Sequence, residues 1–238
     1  MKKVSKFLLS LGIFLIILVI ASISFIKIKE YPPSVLANNA AKESTVVSNT
    51  IKFQGDDTKP MIIFYPGALV DPKSYSIWAQ KVAQAGYSVY IVRFPLDLAI
   101  LNTNAANKVQ NNQPYIIGGH SLGGTMACRY AKNHADKLKG VFLLASYPET
   151  EGDLHKIKIP VLSVTASRDG VLNRANYQKA KKLLPANTDF EQIAGGNHGG
   201  FGSYGLQKGD HKAQISNVKQ QNIISLLLIN WLNQEISS

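Results

Sequence analysis

The sequence predicts one α/β domain with a mostly parallel, twisted β-sheet and helices on both of its faces. Short apolar runs of buried-strand type recur along the chain, and segments of helical composition alternate with them. Such alternation requires a parallel sheet covered on both faces. Residues 31–238 are a normal length for one domain of this class, and the 45% hydrophobic content suffices for a full core.

The first 29 residues predict a membrane anchor or a signal sequence. Residues 7–26 carry no charge and lie between two groups of lysines. At about 1.5 Å per residue, a helix of this length spans the hydrocarbon layer of roughly 30 Å. A single-pass anchor is favoured over a cleaved signal, whose apolar region is usually about 7–15 residues. Val19-x-Ala21 is a candidate cleavage site, so secretion is the alternative. The basic N-terminus favours a domain outside the membrane.

Residues 30–46 predict a linker, and residues 47–238 the folded domain. The linker contains Pro32-Pro33 and then mostly small and polar residues. The net charge of +11 comes from scattered lysines without an arginine-rich block, so nucleic acid is not an expected partner. Anionic lipid head groups or wall polymers suit this charge better, although it can equally serve solubility. Cys128, the one cysteine, is interpreted as a small core residue.

Each strand is predicted from an apolar run, and each helix from apolar spacing or a cap. Asp71 is expected to cap a helix with Pro72 at its first position. Tyr75, Trp78 and Val82 lie on the apolar face of that helix, while Ile223 and Trp231 do so for the last one. The strands are predicted at residues 50–54, 61–65, 88–94, 115–117, 140–145, 160–165 and 188–193, and the helices at 72–85, 96–110, 122–133, 173–184 and 216–233.

Residues 115–126 predict a nucleophile elbow. An apolar strand leads into Gly119-x-Ser121-x-Gly123 and then into a helix, which is the order that the elbow requires. Because a side chain at position 119 or 123 would strike the neighbouring strand or helix, glycine at both positions allows Ser121 to occupy the apex. The positive end of the helix would favour a negative charge developing there.

Ser121 needs a histidine base held by a carboxylate. Asp169 follows the strand predicted at 160–165, and His198 follows the last strand within a glycine-rich segment. The order Ser, Asp, His is the one that this architecture uses. The alternative is that Asp169 caps the following helix, with Glu149 and Asp153 as substitute acids. We interpret His120 as packed in the turn or bonded to a neighbouring loop, and His155 and His211 as exposed or structural.

The oxyanion of an acyl-transfer intermediate needs two backbone N–H donors. One is expected from Leu122, directly after Ser121. The other is expected from Ala68 in the loop that follows the strand at 61–65, with Leu69 as an alternative. The sequence contains neither a cluster with metal-ligand spacing nor a phosphate-binding glycine loop, so no metal or cofactor is expected.

Taken together, these segments resemble the α/β-hydrolase superfamily, and within it a group of small bacterial members without a lid that is related to dienelactone hydrolases. The resemblance covers nearly all of residues 60–232. It implies the α/β-hydrolase fold, a triad of Ser121, Asp169 and His198, and an oxyanion pair of Ala68 and Leu122. The matching segments are 65–72 (YPGALVDP), 93–99 (RFPLDLA), 118–124 (GGHSLGG), 144–148 (LASYP) and 195–198 (GGNH), with Phe201-Gly202 and Tyr204-Gly205 behind them.

The sequence departs from the pattern of that group at two positions. Dienelactone hydrolases use a cysteine nucleophile where Ser121 stands, so lactone specificity does not carry over. Ala68 stands where glycine is common, which narrows the pocket slightly. Four further side chains either line the pocket or are structural: Arg93, Asp97, Tyr147 and Tyr204.

The predicted function is that of a membrane-anchored, extracytoplasmic serine hydrolase of the esterase type, with a small-molecule ester or related acyl compound as substrate. An acyl transferase acting on a cell-surface acceptor shares the same acyl-enzyme and is the first alternative. The second is a non-catalytic binding module of the same fold, which would have no need of all three triad groups. Short acyl chains are expected because the connection at residues 146–159 is too short for a lid domain.

Overall fold

An eight-stranded sheet organises the folded domain. The computed structural model describes residues 14–236 except residues 16, 19, 20, 22 and 23. In sheet order the strands run β1-β2-β4-β3-β5-β6-β7-β8, and those from β3 to β8 are parallel, whereas β2 pairs antiparallel with β1 and β4. The mostly parallel sheet is therefore confirmed. Its strands are β1 (Thr45–Val47), β2 (Thr50–Phe53), β3 (Met61–Tyr65), β4 (Val89–Val92), β5 (Tyr115–His120), β6 (Leu138–Leu144), β7 (Val161–Ala166) and β8 (Asp189–Ile193).

Helices cover both faces of the sheet. They are α1 (Val35–Ala41), α2 (Ser76–Gln84), α3 (Asn107–Gln110), α4 (Leu122–Asn133), α5 (Arg174–Ala180) and α6 (Asn217–Glu235). Asp71 accepts a hydrogen bond from the N–H of Lys73, as expected of a cap, but the first turn from Pro72 to Tyr75 is a 3₁₀ helix.

The alternation of side chains along β3 divides the core into two layers. Phe64 points to the face covered by α2 and α6, where its ring meets that of Trp78 at a centroid distance of 4.8 Å. Tyr65 points to the opposite face and packs with Met126 and Tyr130 of α4. Both faces of the sheet are buried, which explains why these strands are continuous apolar runs.

The prediction of one helix at residues 96–110 is wrong. The segment forms two short 3₁₀ turns, Pro95–Asp97 and Ala99–Asn102, and then the single turn of α3. Leu96 and Asp97 both have a φ of 54°, in the left-handed region, which ends any right-handed helix at that point. The N–H of Leu69 donates to the carbonyl of Asp97, so the bend supports the loop after β3.

The predicted linker at residues 30–46 is folded onto the domain from Tyr31 onward. Tyr31 donates to the carbonyl of Leu69 and accepts from the N–H of Asp71. Ser34 caps α1, and Ala37 of that helix is fully buried. Small residues, which suggested a tether, here allow α1 to approach the domain closely.

The described residues up to Glu30 belong to a different unit from the domain that begins at Tyr31. Residues 24–28 are helical. Most of the apolar segment predicted at 7–26 lies outside the described residues. Within the part of the chain that is described, no helix combines the length and the apolar character needed to cross a bilayer.

Candidate active site

Ser121 occupies a sharp turn between β5 and α4. Its φ of 52° and ψ of −125° are a conformation that residues other than glycine rarely adopt, and such strain persists where the surroundings impose it. A Cβ on Gly123 would lie 2.1 Å from the carbonyl oxygen of Tyr65, and one on Gly119 would lie 2.5 Å from the backbone of Gly123. The expected need for glycine at both positions is confirmed, because backbone atoms leave no room for a side chain.

His198 and Asp169 form a buried pair. The Nδ1 atom of His198 lies 2.9 Å from Oδ2 of Asp169, and both side chains are almost completely shielded from solvent. Burial raises the pKa of Asp169, but the hydrogen bonds from His198 and from the N–H groups of Val171 and Leu172 outweigh it and leave the pKa below its ordinary value. The carboxylate is therefore an acceptor, and in the neutral imidazole Nδ1 carries the proton while Nε2 faces away from Asp169.

One cavity brings Ser121 and His198 together. Its volume is about 250 Å³, and it lies at the carboxyl ends of β5, β6 and β7. Nε2 of His198 makes no hydrogen bond to any described residue, so Ser121 and His198 share the cavity without being bonded. Catalytic hydrogen bonds are often long in the absence of substrate. The lining residues are Ser121, Leu122, Thr125, Ala145, Ser146, Tyr147, Val171, Leu172, Asn173 and His198.

The loop after β3 leaves one N–H group for an oxyanion. Gly67 donates to the hydroxyl of Tyr75, Leu69 to the carbonyl of Asp97, and Val70 to the carbonyl of Gly67. Ala68 is thus the better candidate of the two residues that the sequence suggested, since the N–H of Leu69 is already engaged. Leu122, the other expected donor, is the first residue of α4 and lines the cavity.

His120 is a buried, neutral neighbour of the pair. The hydroxyl of Tyr75 accepts from Gly67, so its own proton is free to donate to Nδ1 of His120, 2.9 Å away. The His120 ring lies 4.5 Å from the ring of His198, centroid to centroid. Burial lowers the pKa of His120 well below its ordinary value, and the neighbouring His198 lowers it further. The packed interpretation of His120 is confirmed.

The substitute acids are occupied elsewhere. Glu149 pairs with Arg129, and Asp153 with His155. The alternative role of Asp169, as the cap of the following helix, is taken by Asn173. His155 and His211 are exposed, as expected.

Of the four possible pocket residues, Tyr147 lines the cavity. Tyr204 is buried beside His120, and its hydroxyl donates a hydrogen bond to the side-chain oxygen of Gln207. Burial raises its pKa well above the ordinary value. Asp97 supports the loop after β3 through its carbonyl. Arg93 and Asp97 lie outside the residues that line this cavity.

Sequence reasoning missed the residues that hold the segment around His198. Gln220 and Gln221 on α6 are buried, and their amides bond to the backbone of Asn197 and Gly200. Asp210 accepts from the N–H groups that follow Asp169 and His198. Two adjacent glutamines that precede the apolar part of the last helix were the available signal for the first pair. Asp210 lies in a polar loop, where sequence offers no such signal.

Comparison with known proteins agrees with this fold. A family model described as the alpha/beta hydrolase family matches residues 61–222. No curated protein matches the sequence significantly. The predicted resemblance to this superfamily, with dienelactone hydrolases among its members, is confirmed.

Solved structures with the same fold include several hydrolases. The esterase domain of a Rhodothermus marinus protein has a TM-score of 0.60 at 15% identity, over 79% of this chain and 92% of that one. Dienelactone hydrolase from Anabaena variabilis has a TM-score of 0.59 at 14% identity, over 79% and 91%. Monoacylglycerol lipase from Paleococcus ferrophilus has a TM-score of 0.57 at 14% identity, over 76% and 98%. At these identities the likeness shows the fold alone.

Proposed function

Because the chain belongs to the alpha/beta hydrolase family, we propose that it is a serine hydrolase that cleaves an ester or related acyl bond. The hydrogen bond between His198 and Asp169, at a cavity that Ser121 also lines, carries this proposal. The esterases and lipases among the structural neighbours support the same reaction class.

In the proposed mechanism Ser121 attacks the acyl carbon, and Nε2 of His198 takes the hydroxyl proton. Asp169 holds the imidazole in the required tautomer and stabilises the imidazolium. The oxyanion accepts hydrogen bonds from the N–H groups of Leu122 and Ala68. His198 then gives the proton to the leaving group, which leaves an acyl-enzyme on Ser121. A water, activated by His198, releases the acid.

The cavity supports a small acyl group. Its volume of about 250 Å³ is below the range of about 300–1,000 Å³ that is usual for drug-sized ligands. Leu122, Val171 and Leu172 provide apolar walls for the acyl chain. We therefore expect turnover to fall as the acyl chain is lengthened.

Two measurements on the full chain in detergent test the proposal. A fluorophosphonate probe should label wild type at Ser121, and p-nitrophenyl acetate and butyrate should be hydrolysed faster than the decanoate. Ser121→Ala should abolish both signals, while Ser44→Ala, which alters a serine outside the cavity, should retain them. Absence of labelling in folded wild type would exclude a serine hydrolase and favour a binding module, and a preference for decanoate would contradict the small acyl site.

Hydrolysis and acyl transfer share the acyl-enzyme and differ in the group that attacks it. Product analysis with added glycerol distinguishes them. A hydrolase releases mainly free acid at modest glycerol concentrations, whereas mainly acylglycerol would identify a transferase.

We also propose that residues 7–26 anchor the chain in the membrane, with the domain on the extracytoplasmic side. The uncharged length of this segment and the lysines that precede it support the proposal. Protease added to intact cells should degrade the domain while cytoplasmic proteins survive. Recovery of a shortened chain from the medium would favour secretion after cleavage.

A further inference from the structure

A short loop packs against the residue that follows each member of the buried acid–base pair. Residues 205–211, the bridging loop, follow the turn at Tyr204 and precede α6. A Cβ on Gly170 would lie 2.7 Å from the carbonyl oxygen of Gly209, and one on Gly199 would lie 2.4 Å from that of Gly205. Gly170 directly follows Asp169, and Gly199 directly follows His198. The bridging loop is therefore packed against the backbone on both sides of the pair.

Within the bridging loop, the Asp210 carboxylate bonds to both backbones. Its Oδ1 atom accepts from the N–H of Gly170 at 3.0 Å and from that of His211 at 2.9 Å. Its Oδ2 atom accepts from the N–H of Gly199 at 2.9 Å. Hydrogen bonds to a charged acceptor are about twice as strong as those between neutral groups. Asp210 is half-buried, and its bond from Gly199 is partly shielded from water, whereas its bond from Gly170 is exposed.

Near the pair, the hydroxyl of Ser167 also joins the two loops by accepting from the N–H of Gly195, whereas Arg174 and Gln220 hold one loop each. Arg174 donates to the carbonyls of Ala166 and Ser167 on the acid side. Gln220 bonds to Asn197 on the histidine side. Asp210 differs because its two oxygens join the residue after the acid to the residue after the base.

We propose that Asp210 is a positioning residue for the Asp169–His198 pair, because its carboxylate fixes the spacing of the two loops that carry the acid and the base. The proposal rests on the proposed function. Asp210 acts by keeping the pair in position, and displacement of a catalytic group by about 1 Å can cost on the order of 10²-fold in rate. Asp210 itself touches neither the cavity nor the imidazole.

Asp210→Asn is the sharpest substitution. A carboxylate presents two acceptors, whereas an amide presents one acceptor and one donor group. In either amide orientation, the NH₂ group would face a backbone N–H of one of the two loops. The volume of the side chain is nearly unchanged, but its hydrogen bond to one of the two loops is lost. Asp56→Asn is the matched control, because Asp56 also accepts backbone and hydroxyl bonds in a turn, from Thr58, near the opposite ends of the strands.

With the full chain, we expect Asp210→Asn to lower kcat for p-nitrophenyl acetate at least 10-fold, with KM within twofold of wild type. In a double-mutant cycle, Asp210→Asn should add less than a twofold loss in the Asp169→Asn background, where there is no longer a correctly held pair to misplace. Asp56→Asn should leave kcat unchanged. A kcat for Asp210→Asn within twofold of wild type, or an equal loss in both backgrounds, would overturn the proposal.

A readout that needs no turnover separates this proposal from the proposed function. The proton that His198 donates to Asp169 should give a downfield ¹H resonance in wild type. Asp210→Asn should broaden or shift it, and Asp56→Asn should not. If wild type neither hydrolyses esters nor reacts with the fluorophosphonate, the proposed function fails while this resonance still tests Asp210. An unchanged resonance in folded Asp210→Asn would reject the positioning role.

Discussion

At the residue scale, the environment of His120 is set by burial and by a fixed tautomer. Tyr75 donates to its Nδ1 atom, so the neutral ring carries its proton on Nε2. Protonation of His120 would place a second positive centre beside His198, whose ring becomes charged in the proposed mechanism. A histidine kept neutral by burial avoids this repulsion, which explains why the residue preceding Ser121 can be a titratable one.

Because His120 stays neutral in the fold, it makes the stability of the protein depend on pH. Below its ordinary pKa of about 6.5, the unfolded chain binds a proton at His120 that the folded chain does not. Stability should therefore fall as the pH drops from about 6.5 towards 5, by up to about 1.4 kcal/mol per pH unit from this group. Urea unfolding of wild type and His120→Gln at pH 5, 6, 7 and 8 measures it.

His120→Gln should remove this part of the slope, because glutamine does not titrate. His155→Gln, which changes an exposed histidine, should retain it. Equal slopes for wild type and His120→Gln would show that His120 takes up its proton in the folded state.

At the element scale, α6 combines a packing role with a polar one. Ile224, Leu228 and Trp231 are buried against the sheet, which confirms Trp231, whereas Ile223 of the predicted face is only partly buried. At its N-terminal end, Gln220 and Gln221 reach the segment around His198. A helix at the far end of the chain thereby holds the loop that carries His198.

Gln220→Leu tests this role of α6. The change keeps a similar volume but leaves the N–H and carbonyl of Asn197 without the partners that Gln220 supplied. Each unpaired buried group costs about 1–3 kcal/mol. We expect a lower free energy of unfolding and a lower kcat, because Asn197 directly precedes His198. Chemical denaturation and ester hydrolysis measure the two effects.

Asn230→Leu is the control on the same helix, because Asn230 is exposed. It should change neither quantity by more than a small amount. If Gln220→Leu were as stable and as active as Asn230→Leu, the segment around His198 would be held by its other contacts.

At the scale of the whole molecule, the folded domain begins at Tyr31. The N–H of Ser34 donates to the carbonyl of Ser203, and the hydroxyls of the two serines lie 2.8 Å apart. Ser203 follows the glycine-rich segment of His198, so the N-terminal part of the domain supports the loop that carries this histidine. Residues 31–41 are therefore part of the folded domain and do not form the predicted linker.

Ala37→Asp distinguishes a docked α1 from a tether. Ala37 is fully buried, so an aspartate there would be a buried charge without a partner, at a cost of about 3–5 kcal/mol. Asn38→Asp adds the same charge at an exposed neighbour and should be nearly neutral. The midpoints of thermal unfolding give the comparison. Equal midpoints for the two variants would mean that residues 31–46 form a linker after all.

The sequence by itself determined the parallel strands and the elbow. Apolar runs such as Met61–Tyr65 can be recognised in the sequence because both faces of a parallel sheet are buried. Gly119 and Gly123 can be recognised because the backbone atoms that exclude a side chain there include close sequence neighbours. Tertiary structure decided what depends on contacts between distant segments. The docking of α1 depends on Ser203, the bend at Leu96 on the loop after β3, and the role of Asp210 on two loops about 40 and 11 residues before it. Local patterns in the sequence indicate which residues of a strand are buried and where a tight turn lies. The partner of a loop's backbone N–H is fixed only in the folded chain, where distant segments meet.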